Sequence, residues 1–300
     1  MGAALTRAVD WIRAAWARTG LFSRRRAASS TALGVLALRA AHQLIDDAPR
    51  ILDDPVAVRL VDPWMIRKMV RYGKGARDRR VDGLRAHIVT RSRYTEDRLG
   101  EAVQRGTAQY VVLGAGFDTF AYRQPTWARE LRIFEVDHLA SQEAKRARLA
   151  RAGIDVPGNV RFVPIDFETT PLRAGLVAGG VALDRPTFFS WLGVLVYLDQ
   201  GAIDAVFDAV ARLPAGSEIV FTFSPHDRDG AASGLARRAS RMGEPWKTRL
   251  EPDALLAQLR RAGFSDCGLV DPAELADRYF RDRHDGLPPP RRERLAWART

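Results

Sequence analysis

From Thr107 onward, short β-branched or apolar runs alternate with helical stretches, and this alternation limits the fold more than any other feature. The runs are Tyr110–Leu113, Leu131–Val136, Val160–Pro164, Thr187–Trp191, Glu218–Phe223 and Phe264–Val270. Helical candidates at Leu139–Ala152, Gln200–Arg212 and Pro252–Ala262 lie between them. Strands separated by helices cross over and pair in parallel, which predicts a doubly wound α/β sheet. A last run, Leu295–Arg299, follows the turn-rich Gly286–Pro290 and fits an antiparallel edge strand.

The chain ahead of this region reads differently. Helical patterns cover Thr31–Asp47, Pro55–Leu60, Pro63–Arg71 and Asp82–Arg105, two of them opening with Pro as a first helical turn allows. Leu5, Val9, Ile12 and Trp16 fall at helical spacing among Arg7, Arg13 and Arg18. The expected organisation is a basic amphipathic extension at 1–27, a helical cap at 28–107 and a ligand-binding core at 108–300.

Composition excludes several classes. With 46% hydrophobic residues the chain is not disordered. Its single cysteine, Cys267, excludes a disulfide framework and a multi-cysteine zinc site and fits a reducing, cytoplasmic setting. No metal is expected. No apolar run reaches the roughly 20 residues a spanning helix needs, and Arg7, Asp10 and Arg13 interrupt any leader-like stretch. The net charge of +11 is uneven. Residues 1–30 hold six Arg and one Asp, and residues 67–93 hold ten basic residues and two acids. The rest of the chain is near neutral. That distribution favours an anionic acceptor, or an acidic lipid surface met by residues 1–27, over nucleic acid, for which no base-recognition motif is present.

In an open α/β sheet the ligand sits beyond the carboxyl ends of the strands. The first run continues as Leu113-Gly114-Ala115-Gly116-Phe117-Asp118-Thr119. Gly114 and Gly116 permit a sharp turn with no Cβ between backbone and ligand. Thr119 stands where a dinucleotide fold wants a third Gly, and Asp118 would repel a pyrophosphate. A ligand with a cationic amino group, such as S-adenosylmethionine, suits the loop better. Asp137 ends the second run and can accept from both ribose hydroxyls. Asp166 ends the third, where it can accept from an adenine amine while Phe167 lies against the base. Three acids closing three successive strand units point to a nucleoside cofactor.

Leu113-Gly-Ala-Gly-Phe-Asp-Thr119, Glu135-Val-Asp137, Ile165-Asp166 and Leu195-Val-Tyr-Leu198 resemble the leucine carboxyl methyltransferase family, a branch of the class I S-adenosylmethionine-dependent methyltransferases. Ser30-Thr-Ala32, Arg39-Ala40, Ile51-Leu-Asp-Asp-Pro55 and Arg91-Ser-Arg93 resemble its bacterial, actinobacterial-type O-methyltransferase subgroup. The resemblance covers about Ala28 to Thr300. It implies a seven-stranded sheet with an antiparallel last strand under N-terminal helices. It also implies S-adenosylmethionine as cofactor and O-methylation of a small metabolite. Gly114, Gly116 and Asp118 would cradle the methionine part, Asp137 the ribose, and Asp166 with Phe167 the adenine. Arg91 would pair with the cofactor carboxylate. One departure is that Phe189–Val194 contains no acid where many members carry one, so Trp191 and Leu192 would make that wall apolar.

A carboxylate acceptor needs no general base, whereas a hydroxyl is helped by one. His226 and Tyr197 are the candidates for a catalytic role, beside His42, His87 and His138. Arg39, Tyr94 and Trp191 are candidates for the acceptor pocket. The competing readings are a nicotinamide-dependent oxidoreductase and a non-catalytic basic surface-binding protein on a vestigial cofactor fold.

Overall fold

The computed structural model describes residues 30–72, 79–225, 234–241, 243–290 and 295–300. The extension at 1–27 and His226 lie outside the described residues.

Seven strands form one sheet in the order β3-β2-β1-β4-β5-β7-β6. They are β1 (Gln109–Leu113), β2 (Arg132–Asp137), β3 (Val160–Pro164), β4 (Thr187–Trp191), β5 (Glu218–Thr222), β6 (Asp266–Leu269) and β7 (Leu295–Arg299). β1 through β5 pair in parallel, and β7 runs antiparallel to both neighbours. β1, β4 and β5 are buried along their whole length, as parallel strands covered on both faces must be. One expectation is corrected. β7 is antiparallel but does not lie on the edge, because it is inserted between β5 and β6. Its residues are mostly buried, while the short Asp266–Leu269 strand is half-exposed and takes the edge.

Local chemistry sets the helix starts. Asp54 caps Pro55–Leu60 by accepting from the Ala57 N–H at 3.0 Å. Asp199 and Asp271 do the same for Gln200–Ala211 and Pro272–Phe280. On one face of the sheet Val111, Phe189 and Phe221 pack with Phe207, Leu255 and Leu259. On the other, Tyr110, Ile133, Phe188 and Val220 pack with Leu99 and Phe120. The helices Ser30–Ile45, Pro55–Leu60 and Pro63–Tyr72 share a third cluster with Phe117, which lies in the loop after β1. The cap is therefore packed directly onto that loop. The helix Arg79–Gln104 runs along the sheet and spans from the cap to its opposite end.

Candidate active site

The strand order reverses between β1 and β4, and the crevice opens where the chain leaves β1. Gly114 has φ +66° and Gly116 φ +42°, values that L side chains rarely adopt. A Cβ on Gly114 would come within 2.3 Å of Val194 Cγ2, and one on Gly116 within 3.2 Å of the Ala32 Cβ. The loop is thus threaded between the segment after β4 and the first turn of the cap, a cradle that side chains would fill.

Asp137 closes this loop. Its Oδ2 accepts from the Gly116 N–H at 2.6 Å and its Oδ1 from the His138 N–H at 2.7 Å. Each oxygen keeps a second lone pair, so the carboxylate can still accept from two hydroxyls. Asp166 stands two residues beyond Pro164, the β3 partner of Asp137. Its Oδ1 accepts from the Glu168 N–H, which fixes the turn that presents Phe167.

Asp118 is held from the cap. Arg39 places Nη1 3.0 Å from Asp118 Oδ2 and Nε 2.9 Å from Asp54 Oδ2. Thr119 Oγ1 donates to the same Asp54 oxygen at 2.6 Å, and Arg123 joins Asp54 to Glu96. Burial alone would raise the Asp118 carboxyl, but Arg39, Lys145 and Arg123 outweigh it and bring it down to about 2. Arg39 is correspondingly committed. It is 2% exposed between two carboxylates, so it holds the loop and does not line an acceptor pocket.

Next to Val194, Gly193 has φ +75°, and a Cβ there would lie 3.0 Å from Arg91 Nη2. The Arg91 guanidinium therefore lies flat against the backbone beyond β4, with His87 Nε2 3.4 Å from its Nη1. Tyr197 stands nearby, and its phenol contacts the side chains of Thr31 and Trp246. Burial pushes this phenol up, so it keeps its proton. Thr31 also donates to Glu244. The segment 244–250 is tied across the site by the Lys247 and Leu250 N–H groups, which donate to Val196 and Ser224 carbonyls.

Two other expectations are corrected. Trp191 is fully buried, packed edge-on against Phe207 at 5.7 Å, and forms core rather than a site wall. Strand alternation turns it toward the Gln200–Ala211 helix. Tyr94 is 3% exposed within the cluster of Leu99, Phe120 and Phe188, and burial pushes its phenol up to about 12. The histidines also separate. His42 is buried, with Nδ1 2.8 Å from Asp46 Oδ2 and Nε2 accepting from the Ile51 N–H at 3.1 Å. His138 Nδ1 accepts from the Ala140 N–H at 3.2 Å and caps a helix. Asp54, Thr31, Glu244 and Trp246 were not singled out as site residues, although Ser30–Ala32 and Ile51–Pro55 stood out as motifs. Among the described residues no cluster of three or more His, Cys, Asp or Glu could hold a metal, and no helix is long and apolar enough to cross a membrane.

Five parallel strands, a displaced antiparallel β7, a two-glycine loop and a strand-end carboxylate define a class I S-adenosylmethionine-dependent methyltransferase. The chain belongs to the leucine carboxyl methyltransferase family, whose model matches residues 32–211. YktD of Bacillus subtilis, named as an S-adenosyl-L-methionine-dependent methyltransferase, is 32% identical over 206 residues, 66% of this chain and 67% of its own. A Mycolicibacterium paratuberculosis protein of the same designation is 33% identical over 219 residues, 71% of this chain and 70% of its own. The fold is shared with a DUF574-family protein from Streptomyces avermitilis at a TM-score of 0.52 and 16% identity, covering 88% of this chain and 97% of that one. The family settles the cofactor as S-adenosylmethionine, and the oxidoreductase reading falls with it.

Proposed function

We propose that the protein methylates a carboxylate oxygen of a small anionic metabolite. The observation that carries this reading is the state of His42, His87 and His138, the candidate histidines among the described residues. His42 spends both ring nitrogens on Asp46 and backbone, His138 uses Nδ1 to cap a helix, and His87 faces Arg91. Tyr197 keeps its proton. A hydroxyl acceptor gains from a base, whereas a carboxylate arrives as a nucleophile.

When bound, S-adenosylmethionine supplies a sulfonium methyl that an oxygen nucleophile takes directly, the bonding pair returning to sulfur. The work left to the chain is orientation and exclusion of water. Gly114 and Gly116 give the ligand access to backbone, and Asp118 faces its cationic amine. Asp137 accepts from the ribose, Asp166 and Phe167 meet the adenine, and Arg91 pairs with the cofactor carboxylate. Tyr197 and the 244–250 segment close the acceptor side, and excess basic charge in the cap favours an anion.

Isothermal titration tests the cofactor assignments. Asp137→Ala is expected to weaken S-adenosylmethionine about 100-fold, the scale of two hydrogen bonds to a charged acceptor. An unchanged affinity would remove Asp137 from the site. Incubating metabolite extracts with methyl-labelled cofactor tests the acceptor. The labelled product is expected to be cleaved by mild alkali, as an ester is, and an alkali-stable product would overturn the carboxylate reading.

A further inference from the structure

The cap meets the cofactor loop through charges rather than apolar side chains alone. Among the described residues, Asp54, Glu96 and Asp118 are joined by two cations, Arg39 and Arg123. The neighbouring Glu135–Lys145 pair, 2.7 Å apart and fully buried, neutralises itself. The connected assembly therefore carries one negative charge in excess.

That excess has one outlet. Asp54 and Arg39 are buried, whereas the Asp118 side chain is 22% exposed. Asp118 also stands two residues after Gly116, so its open side lies at the glycine loop. Its Oδ1 takes the Phe120 N–H at 2.9 Å and its Oδ2 takes Arg39, which leaves one lone pair on each oxygen. The carboxylate stays ionised at any neutral pH.

We propose that Arg39 is a positioning residue that fixes Asp118 through Asp54. We further propose that the uncompensated charge so placed discriminates the sulfonium form of the cofactor from its neutral thioether product. S-Adenosylmethionine carries one positive charge more than S-adenosylhomocysteine. The hydrogen bonds to ribose and adenine and the contact of Asp118 with the amine are common to both ligands, and a fixed carboxylate beside the loop acts in addition on the sulfonium charge that only one of them carries. The planar fork of Arg39 reaches two carboxylates that the single ammonium of Lys cannot bridge in one geometry. Replacing it with Lys keeps the net charge and loses the placement.

The inference rests on the cofactor assignment above, and one calorimetric series separates the two. Both ligands are titrated into wild type, Asp118→Asn and Arg39→Lys, with circular dichroism to establish folding. Asp118→Asn is expected to weaken S-adenosylmethionine about tenfold and S-adenosylhomocysteine about twofold. Arg39→Lys is expected to act in the same direction through the lost placement, weakening S-adenosylmethionine about fivefold and S-adenosylhomocysteine less than about twofold. An unchanged ratio in Asp118→Asn would overturn the charge argument. A folded Arg39→Lys that binds both ligands normally, even at a lowered Tm, would reduce Arg39 to a structural role. Should Arg39→Lys not fold, Asp54→Asn removes the same excess charge while keeping side-chain shape and its helix-capping oxygen. It is expected to shift the ratio less than Asp118→Asn does, and no shift overturns the proposal. Wild type binding neither ligand would overturn the cofactor assignment itself.

Discussion

Two carboxylates anchor opposite ends of this sheet, and they are solved in opposite ways. At the start of β5, Glu218 is fully buried and meets three arginines. Arg98 lies 2.7 Å from Oε1, and Arg105 and Arg299 lie 2.8 and 3.1 Å from Oε2. Trp297 stacks under Arg98 at 4.4 Å. At the other end, Asp118 shares Arg39 with Asp54 and stays partly open. The first centre has more cation than it needs, and its carboxylate has no access to solvent. The second has less cation than would neutralise it and an open side on a crevice. A charge closed off by partners ties elements together, here the Arg79–Gln104 helix to β5 and β7. A charge left in excess is available to a ligand.

The comparison is broken most severely at the closed end. Glu218→Gln leaves three arginines facing one another without their anion. The expected loss is about 3 kcal/mol, at the low end for a broken buried pair because Arg105 and Arg299 are partly solvated. Urea unfolding measures it, and S-adenosylmethionine affinity of the folded protein is expected to stay unchanged. A stability within about 0.5 kcal/mol of wild type would mean the clip ties nothing. Gly114→Ala acts at the open end and should cost about 2 kcal/mol, from its positive φ and the overlap with Val194. It should also abolish measurable cofactor binding. Val194→Ala in the same chain is expected to recover part of both losses, since it removes the clashing methyls; no recovery would place the defect elsewhere.

The difference between the two ends also explains what was legible in the sequence. Local features were. The β3, β4 and β7 runs and the helices Pro55–Leu60 and Pro252–Ala262 fall where periodicity and Pro placed them. The Gly114–Asp118 loop, Asp137 and Asp166 stood out because each follows a strand directly. The short helix Leu172–Ala178 was missed because Gly175 and Gly179, packed on Ile165 and Val163, weaken its pattern. The helix Pro272–Phe280 carried a readable signal in Asp271 and Pro272 that was overlooked. Roles that need distant chain segments were hidden. Arg39 and Asp118 are 79 residues apart, and Arg98 and Glu218 are 120 apart. No spacing rule joins such pairs, so Arg39 read as a pocket residue until the cap was seen folded onto the loop. Trp191 misled for a related reason, because its position at a strand end says nothing about which face it takes.

Titration offers the gentlest test, since protons alter the open end without changing any side chain. The Asp118 carboxyl lies at about 2 in the folded protein, against an ordinary value near 3.8. Asp46 is likewise lowered, because its bonds to His42 and Arg85 outweigh the cost of burial. A carboxyl lowered by folding adds stability that is complete above its unfolded value and disappears as pH falls through its folded one. The Asp118 share of stability is therefore expected to fall by about 1 to 2 kcal/mol between about pH 4 and pH 2, and Asp46 adds a loss in the same direction. Urea midpoints across that range measure the slope. Asp118→Asn should flatten it, since the proton no longer has that site to occupy, while the Asp46 share remains. A slope identical in wild type and Asp118→Asn would mean that Arg39 does not hold Asp118 ionised in solution. The open end would then carry no more charge than the closed one.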